Sequence, residues 1–512
     1  MSANHFAKNK HSAVSVFFTF IAVLFGVIQI GISVLNLFFS NELPLYAKHI
    51  FLFPNFFLLF CFIVFVGSTY FLTRHAKLPG IVESYALIWK WGLFVAFFVF
   101  QLVFTYNTYA YIGWDPGMLF GSAQQIIEGR FESIEYFSLY PNNILILKYI
   151  VLIKRLSLAI GIPAISDGCY TLLIINCVIN SITGVLLYSL TKKLCGVRCA
   201  LFGWFLYAVL IGTSTHLDVY YTDSIAILFP VLIAFLWICI DKTYCFVLIG
   251  LLGAFSIFLK PQACIILIAV FLIESVKLLS SQFRTRESAV KLLFLLVGSA
   301  LGIIVGKLLS INSLGLDPER SMGPAHYFMM GLHDVGSYAG SDVDFSVSYA
   351  TKAARNAANI QEAFRRIREY NFSSFANHVV KKALFNYHDG CFGNFTADFF
   401  WLNERVCTNR LSAFLTNLIR GGGRAHPIFE SVKQATWLFV ISLSSILPFR
   451  QHAFDQKTRE KAAGLMLSLI GIFLFLMLFE ANARYLYIYS PIFIITALTV
   501  FAKAQNTGEQ YE

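Results

Sequence analysis

The acidic residue Asp115 stands in a setting that suits general base chemistry. It lies in YIGWDPGMLF, directly after a long apolar stretch. A carboxylate at such a boundary could take a proton from a hydroxyl group in a transfer reaction. It could instead cap a helix that begins near Gly117, and residue type alone favours the cap. A second polar turn, YPNN with Tyr140 and Asn142, opens the next helical stretch.

Charged residues recur where other apolar stretches begin or end. Asp223 in YYTDSIAILFP precedes one stretch and could serve a site or cap its helix. Lys260 in IFLKPQA lies in a very short turn, where its ammonium could bind a lipid phosphate or extend past apolar surface to water. Glu480 and Arg484 in LFEANARYLYIYSPIF stand four apart, the spacing of a helical ion pair. Charges in such places are costly, so we treat these residues as functional candidates.

Histidines in a later polar segment raise the question of a metal. PAHYFMMGLHDVG holds His326, His333 and Asp334, and FNYHDGCFGNF holds His388 and Asp389. Two histidines beside an aspartate could ligate a divalent metal, although hydrogen-bonded loop histidines are commoner. No clear ligand set emerges, and a metal cofactor stays open. The chain has no GxxxxGK[ST], HExxH or GxSxG motif, which argues against nucleotide-driven pumping and common hydrolase mechanisms.

The elements that must position these residues are those of a membrane protein. Of 512 residues, 57% are hydrophobic and 13% charged, whereas soluble domains carry about 25% charged residues. The net charge is +11, yet no compact Lys/Arg run with interleaved aromatic residues appears. Nucleic acid is therefore not a predicted partner. The predicted partner is the lipid bilayer.

The apolar stretches predict the fold class. A helix needs roughly 20 apolar residues to span a bilayer, and about twelve stretches meet or approach that length. They fall near 14–39, 50–73, 84–106, 170–190, 197–215, 224–241, 244–260, 262–279, 291–311, 433–449, 463–480 and 485–503. We therefore predict an all-α polytopic membrane protein. Its parts are N-terminal transmembrane helices (1–106), an outer loop with interfacial helices (107–169), central transmembrane helices (170–311), an outer module (312–432) and C-terminal transmembrane helices (433–512).

Basic residues between the stretches predict the orientation. Counted alternately, the short loops that hold the Lys and Arg clusters all fall on one side of the membrane. The positive-inside rule makes that side cytoplasmic. Both termini are then cytoplasmic, and the two long segments are extracytoplasmic at the cell membrane.

The long segments have predicted structure of their own. Residues 117–129 and 142–160 are typical of helices that lie in the membrane interface. A span over 142–163 is the alternative, and it would reverse every later loop. The module contains a predicted amphipathic helix at 352–370. Cys391 and Cys407 could form a disulfide there, although spacing alone does not show the geometry.

Taken in order, these features resemble the GT-C superfamily of membrane glycosyltransferases, particularly dolichyl-phosphate-mannose protein mannosyltransferases and their bacterial relatives. The shared order is a membrane-edge acid (Asp115), a Pro turn (YPNN), a basic turn with Gly (LTKKLCGVRCALFG), an acid before a span (YYTDSIAILF) and an Arg-Tyr pair (ARYLYIYSPIF). The resemblance covers about 100–260 and 470–500 well, and the module poorly. Two departures stand out: the acid follows the third predicted span, where relatives place it after the first, and no second carboxylate adjoins it.

The resemblance implies a polyprenyl-phosphate-linked sugar as the donor and Asp115 as the catalytic base. It also implies that Arg484 and Lys260 hold the donor phosphate, with Asp223 nearby. Such a transfer needs a base for the acceptor hydroxyl and positive charge for the departing phosphate. The other candidate substrate-binding residues are Tyr140, Asn142, Glu480, His326 and His333.

We expect a cell-envelope glycan or wall polymer as the acceptor. Inversion at the anomeric carbon is expected as well, because no nucleophile pair is evident. A lipid-linked glycan flippase, a glycan polymerase or ligase, and a non-catalytic assembly partner are the alternative functions.

Overall fold

The structure is a computed structural model that describes residues 2–40, 43, 51–75, 83–161, 168–279, 285–311, 314–393, 401–405 and 408–504. Nine of the helices described there are long and apolar enough to cross a membrane. The chain is therefore a multi-pass integral membrane protein of almost entirely α-helical structure. The predicted number of about twelve spans would also require three shorter apolar helices to cross. These are Asn55–Phe71, Val197–Leu210 and Cys245–Ser256.

The first half of the chain begins with three long helices and continues with a mixture of short and long ones. Its elements in order are α1 (Ser2–Phe38), α2 (Asn55–His75), α3 (Ala86–Thr108), β1 (Ala110–Ile112), α4 (Trp114–Ile127), α5 (Ile134–Leu139), α6 (Ile144–Ile160), α7 (Cys169–Cys195), α8 (Val197–Leu210), α9 (Thr222–Ile240) and α10 (Cys245–Ser256).

The second half holds the segment predicted to form the module (312–432) and the last long helices. Its elements in order are α11 (Pro261–Leu278), α12 (Thr285–Ser310), α13 (Pro324–Met330), α14 (Gly340–Val347), α15 (Lys352–Glu369), α16 (Phe372–Tyr387), β2 (Trp401–Arg405), α17 (Arg410–Ile419), α18 (His426–Ala453), α19 (Gln456–Leu478) and α20 (Ala483–Phe501). The strands β1 and β2 pair antiparallel, with Ala110 opposite Arg405.

The two ends of α9 carry different clusters of charge. Asp223 lies in its first turn, and Asp241 follows its last turn. The 19 residues of this helix separate the two by about 28 Å. Asp241 pairs with Lys457 at 2.9 Å, at the start of α19. We call the end that holds Asp223 the site end, and the other the opposite end.

Helix α20 lies at the centre of the bundle. Of its apolar stretch 83% is buried, compared with 17% for α3 at the periphery. Its first turns, Ala483–Tyr489, form a 3-10 helix. The bundle thus places the first residues of its most enclosed helix at the site end.

Two small residues explain why the short helix α10 is held firmly. Gly298 and Gly302 of α12 lie against its backbone. A Cβ added at Gly298 would lie 2.0 Å from the carbonyl oxygen of Val247, and one added at Gly302 would lie 2.4 Å from that of Leu251. Such close approach is the usual way in which membrane helices pack through small residues.

Both segments that were predicted to lie in the membrane interface are helical, as α4 and α6. They pack against each other, with Leu119 of α4 and Leu147 of α6 completely buried. Helix α6 is not one of the nine helices that could cross a membrane. The ammonium of Lys154 lies over the ring of Phe120, 3.6 Å from its centroid, which ties the two helices together.

The module contains the predicted amphipathic helix as α15. The hydroxyl of Thr351 caps its N-terminus by accepting from the Ala354 N–H. Arg355 is 1% exposed and donates to the backbone carbonyls of Ser346 and Tyr349. Helix α16 then packs against α1, α19 and the first turns of α20, which seats the module on the site end of the bundle.

Candidate functional site

A small cavity at the site end collects residues from distant parts of the chain. It includes two of the predicted site residues, Asp223 and Arg484. Lys260 and Asp115 are not among the lining residues, but each contacts one of them. Lys260 contacts Asp223, and Asp115 contacts Tyr221. The lining residues are Trp114, His216, Val219, Tyr221, Asp223, Gly393 and Arg484.

Asp115 is held by tyrosine hydroxyls, and the predicted cap is wrong. Helix α4 begins at Trp114, with Gly113 before it and no side-chain cap, so Asp115 lies inside the first turn. Its two carboxylate oxygens accept from the hydroxyls of Tyr136 (2.7 Å) and Tyr221 (3.0 Å). A carboxylate oxygen has two acceptor positions, so each can still accept another hydroxyl proton.

The backbone before Asp115 aims Trp114 into the cavity. Trp114 has a φ of +26°, a conformation that costs free energy in a non-glycine residue. The turn is tight, because a Cβ at Gly117 would lie 2.2 Å from the carbonyl oxygen of Ile112. The Trp114 ring thereby faces Arg484, whose Cζ lies 4.7 Å from the ring centroid.

Asp223 joins the two cations of the site. The residue before its helix is Tyr221, which provides no side-chain cap, so the predicted capping role of Asp223 is wrong. Its Oδ1 accepts from the ammonium of Lys260, and its Oδ2 lies 3.8 Å from Nε of Arg484. Lys260 is only 6% exposed, so it does not extend to water.

Arg484 has unused hydrogen-bonding capacity. Its Nε and Nη1 are buried, and neither has a hydrogen-bond partner among the residues that the structure describes. The 3.8 Å to Asp223 is too long for a hydrogen bond. Buried donors of this kind normally find partners. The guanidinium is instead packed on aromatic rings, including that of Tyr221 at 5.5 Å.

The predicted ion pair between Glu480 and Arg484 is wrong. Glu480 accepts from the hydroxyl of Tyr485 at 3.0 Å, whereas the ion pair of Arg484 is with Asp223. The reason is local: α19 ends at Leu478 and α20 begins as a 3-10 helix, so the four-residue spacing is not helical.

His216 is a cavity residue that sequence reasoning did not select. Its Nε2–H donates to the carbonyl of Phe392 at 2.7 Å, and its ring lies 4.2 Å from that of Tyr487. Burial lowers the pKa of His216 to about 4, so the ring is neutral at physiological pH. In the sequence, His216 lies in THLD, a polar segment between two apolar stretches. Nothing in that pattern indicates that the imidazole ring of His216 turns inward.

Asp389 shapes the cavity wall. Its carboxylate accepts from the backbone N–H groups of Cys391 (2.6 Å) and Gly393 (2.5 Å). Gly393 has a φ of +80°, and a Cβ there would lie 3.1 Å from Cβ of Arg484. We call residues 389–393 the wall loop. Cys407, the predicted partner of Cys391, lies outside the described residues.

The YPNN turn contributes Asn143 to the site, the neighbour of the predicted residue Asn142. Asn143, 2% exposed, donates to the hydroxyl of Tyr136 at 2.7 Å. Asn142 is exposed, and its side-chain amide donates to Oδ1 of Asn143 at 3.3 Å. The Tyr140 ring packs on that of Tyr136, and burial, with the negative charges around it, raises the pKa of Tyr140 to about 12.

His326 and His333 have separate partners inside the module. His326 contacts the hydroxyl of Ser346 at 2.7 Å, and His333 contacts the carboxylate of Asp342 at 3.2 Å. Neither lines the cavity. Within the described part of the chain, no group of three or more His, Cys, Asp or Glu residues could hold a metal ion.

Comparison with known proteins agrees with the membrane architecture. A family model described as conserved hypothetical integral membrane protein matches residues 6–505, which is nearly the whole chain. The chain therefore belongs to that family. No curated protein matches it.

Proposed function

For this member of an integral membrane protein family, we propose that the cavity transfers a sugar from a polyprenyl-phosphate donor to an acceptor hydroxyl. The observation that carries the proposal is the guanidinium of Arg484, a residue that lines the cavity and has two buried donors without a hydrogen-bond partner among the described residues. Phosphate oxygens suit paired guanidinium donors. The carboxylate of Asp115 stands one residue from the Trp114 ring that packs on this guanidinium.

The charges support an anionic ligand. Arg484 and Lys260 both pair with one carboxylate, that of Asp223. These three groups together carry one net positive charge, and the nearby carboxylate of Asp115 offsets part of it. Because the groups are largely removed from water, the attraction between that charge and a phosphate is stronger than at an exposed surface.

Asp115 acts as the base in the proposed reaction. It accepts the proton of the acceptor hydroxyl, whose oxygen forms a bond to the anomeric carbon. The bond between that carbon and the phosphate oxygen breaks, and its electron pair leaves with polyprenyl phosphate. Arg484 stabilises the charge that develops on the leaving phosphate. Direct attack inverts the anomeric carbon.

The membrane arrangement belongs to the proposal as well. We propose about twelve spans, both termini in the cytoplasm and the site end at the extracytoplasmic face of the cell membrane. A polyprenyl chain could then remain in lipid while its sugar phosphate enters the cavity. The proposed acceptor is a cell-envelope glycan or wall polymer.

The test is transfer by the purified protein in nanodiscs, with a labelled polyprenyl-phosphate sugar and candidate envelope acceptors. Asp115→Asn removes the base and is expected to lower the transfer rate about 100-fold or more. Asp218→Asn is the matched control, since the side chain of Asp218 accepts from Thr108 and does not line the cavity. Undiminished transfer by Asp115→Asn would refute the assigned role, and translocation of the sugar lipid without transfer would indicate a flippase.

A further inference from the structure

A second cavity lies at the site end of the first two helices. It measures about 570 Å³, within the range of about 300–1,000 Å³ that is usual for ligand pockets. We call it the N-terminal pocket. Its apolar wall is formed mainly by Leu37, Phe38, Phe51, Leu52, Phe53 and Phe56. Asn55, Ser40 and His388 supply its polar groups.

The wall of the N-terminal pocket is open to the outside of the bundle. Phe38 is 65% exposed, and Leu52, Phe53 and Phe56 are each about half exposed. They stand where the long apolar helix α1 ends and α2 begins. Aromatic and aliphatic surface around a hollow of this size favours an apolar occupant, because a hydrocarbon chain that fills the hollow gains contacts with several side chains at once.

A polar chain connects this pocket with the site cavity. The side-chain oxygen of Asn55 accepts from the side-chain amide of Gln434 at 3.4 Å. The side-chain oxygen of Gln434 in turn accepts from the backbone N–H of Gly390 at 2.9 Å. Gly390 belongs to the wall loop, which ends at Gly393 beside Arg484. His388 of the pocket directly precedes that loop.

We propose that the N-terminal pocket binds an acyl chain of a bilayer phospholipid, with the polar head of the lipid beside Asn55 and His388. No Lys or Arg among its described lining residues offers a positive charge to a phosphate monoester, which favours a phospholipid over a polyprenyl phosphate. An occupied pocket holds the wall loop in place against Arg484. The claim that the N-terminal pocket is distinct from a donor cavity rests on the proposed function, but the binding of a lipid in this pocket does not. Among the residues described, α1 and α2 supply no part of the site cavity, so the two pockets can be tested separately.

The experiment uses the full protein in nanodiscs with trace amounts of one of two photoreactive lipids. One is a phosphatidylglycerol with a diazirine in its acyl chain, and the other is a polyprenyl phosphate with a diazirine in its tail. After irradiation, mass spectrometry maps the labelled peptides. We expect the phosphatidylglycerol to concentrate its label at residues 37–40 and 51–56. Label concentrated there by the polyprenyl phosphate alone would overturn the assigned occupant.

Leu52→Trp fills the pocket and is expected to lower this labelling about tenfold, a change that corresponds to about 1.4 kcal/mol of binding. Leu293→Trp on α12 is the matched control, because Leu293 is 57% exposed and lies outside the pocket. Ser40→Phe fills the pocket from its other side and replaces Leu52→Trp if that variant does not purify as a folded species. Label spread evenly over all apolar helices, or unchanged in a folded filling variant, would overturn the proposal.

Two further measurements separate the parts of the inference. Asp115→Asn must label like the wild type. Wild-type protein that takes up the label at this pocket but transfers no sugar would uphold the pocket while the proposed function fails. Hydrogen exchange in the wall loop should be faster in Leu52→Trp than in Leu293→Trp. Equal exchange would overturn the link between the pocket and the loop.

Discussion

The guanidinium of Arg484 lies 4.7 Å from the ring of Trp114, the residue directly before Asp115. The cation proposed to bind phosphate therefore packs on the residue next to the proposed base in the chain. Tyr221 makes a second connection, since its hydroxyl donates to Asp115 and its ring lies 5.5 Å from Arg484. A phosphate bound to Arg484 would carry its sugar close to the carboxylate, which is the arrangement that transfer requires.

The first prediction concerns the shape of the cation. Arg484→Lys keeps the charge but loses the planar pair of donors, so affinity for polyprenyl phosphate should fall about tenfold. Arg484→Ala should lower it about 100-fold. Binding is measured directly, by titration in detergent. Arg450→Ala at the opposite end, exposed and remote from the cavity, should bind like the wild type. Equal affinity in all variants would remove Arg484 from phosphate binding.

The Trp114 ring gives a second prediction. Trp114→Leu removes the face on which the guanidinium rests, and a desolvated cation–π contact contributes about 2 kcal/mol. We expect KM for the donor to rise about tenfold or more, with a smaller rise in Trp114→Phe, which keeps a ring. The ordering of the two variants is the readout. Equal effects would indicate that Trp114 fills space without orienting Arg484.

Much of the bundle follows from the sequence because apolar length decides which segments can span a membrane. The sequence also predicts the charged residues Asp223, Lys260 and Arg484 as site residues, because a charge at the end of a span is conspicuous. The structure brings all three together. Helix ends were harder. Asp115 and Asp223 have the right residue type for caps, but tertiary contacts with tyrosine, lysine and arginine take their carboxylates instead.

The aromatic and neutral polar parts of the site could not be selected from sequence. Trp114, Tyr136 and Tyr221 belong to a chain with many aromatic residues at apolar boundaries, and spacing does not reveal which rings turn inward. His216 and Gly393 meet Tyr487 and Arg484 only through the folding of distant segments. Such contacts depend on the packing of α20 in the centre of the bundle.

The YPNN turn provides a test that separates two adjacent residues. Asn143→Ala removes the amide that donates to the Tyr136 hydroxyl, which in turn donates to Asp115. We expect kcat for sugar transfer to fall about tenfold, because loss of a buried hydrogen bond to this network costs about 1–2 kcal/mol. Asn142→Ala, the matched control at an exposed position, should retain wild-type kcat. A larger loss in Asn142→Ala would contradict the geometry.

Asp218 predicts how the stability of the protein depends on pH. Burial raises the pKa of Asp218 to about 8, and its Oδ2 accepts from Thr108 at 2.8 Å. The folded protein therefore keeps a proton that the unfolded chain releases near pH 4, so the free energy of unfolding should fall as pH rises from about 4 to 8. Asp218→Asn mimics the neutral acid and should remove a decline of several kcal/mol from this range. The check is the Tm across that range for the wild type, Asp218→Asn and the exposed control Asp344→Asn. Parallel curves for the wild type and Asp218→Asn would show that Asp218 is not protonated in the folded protein.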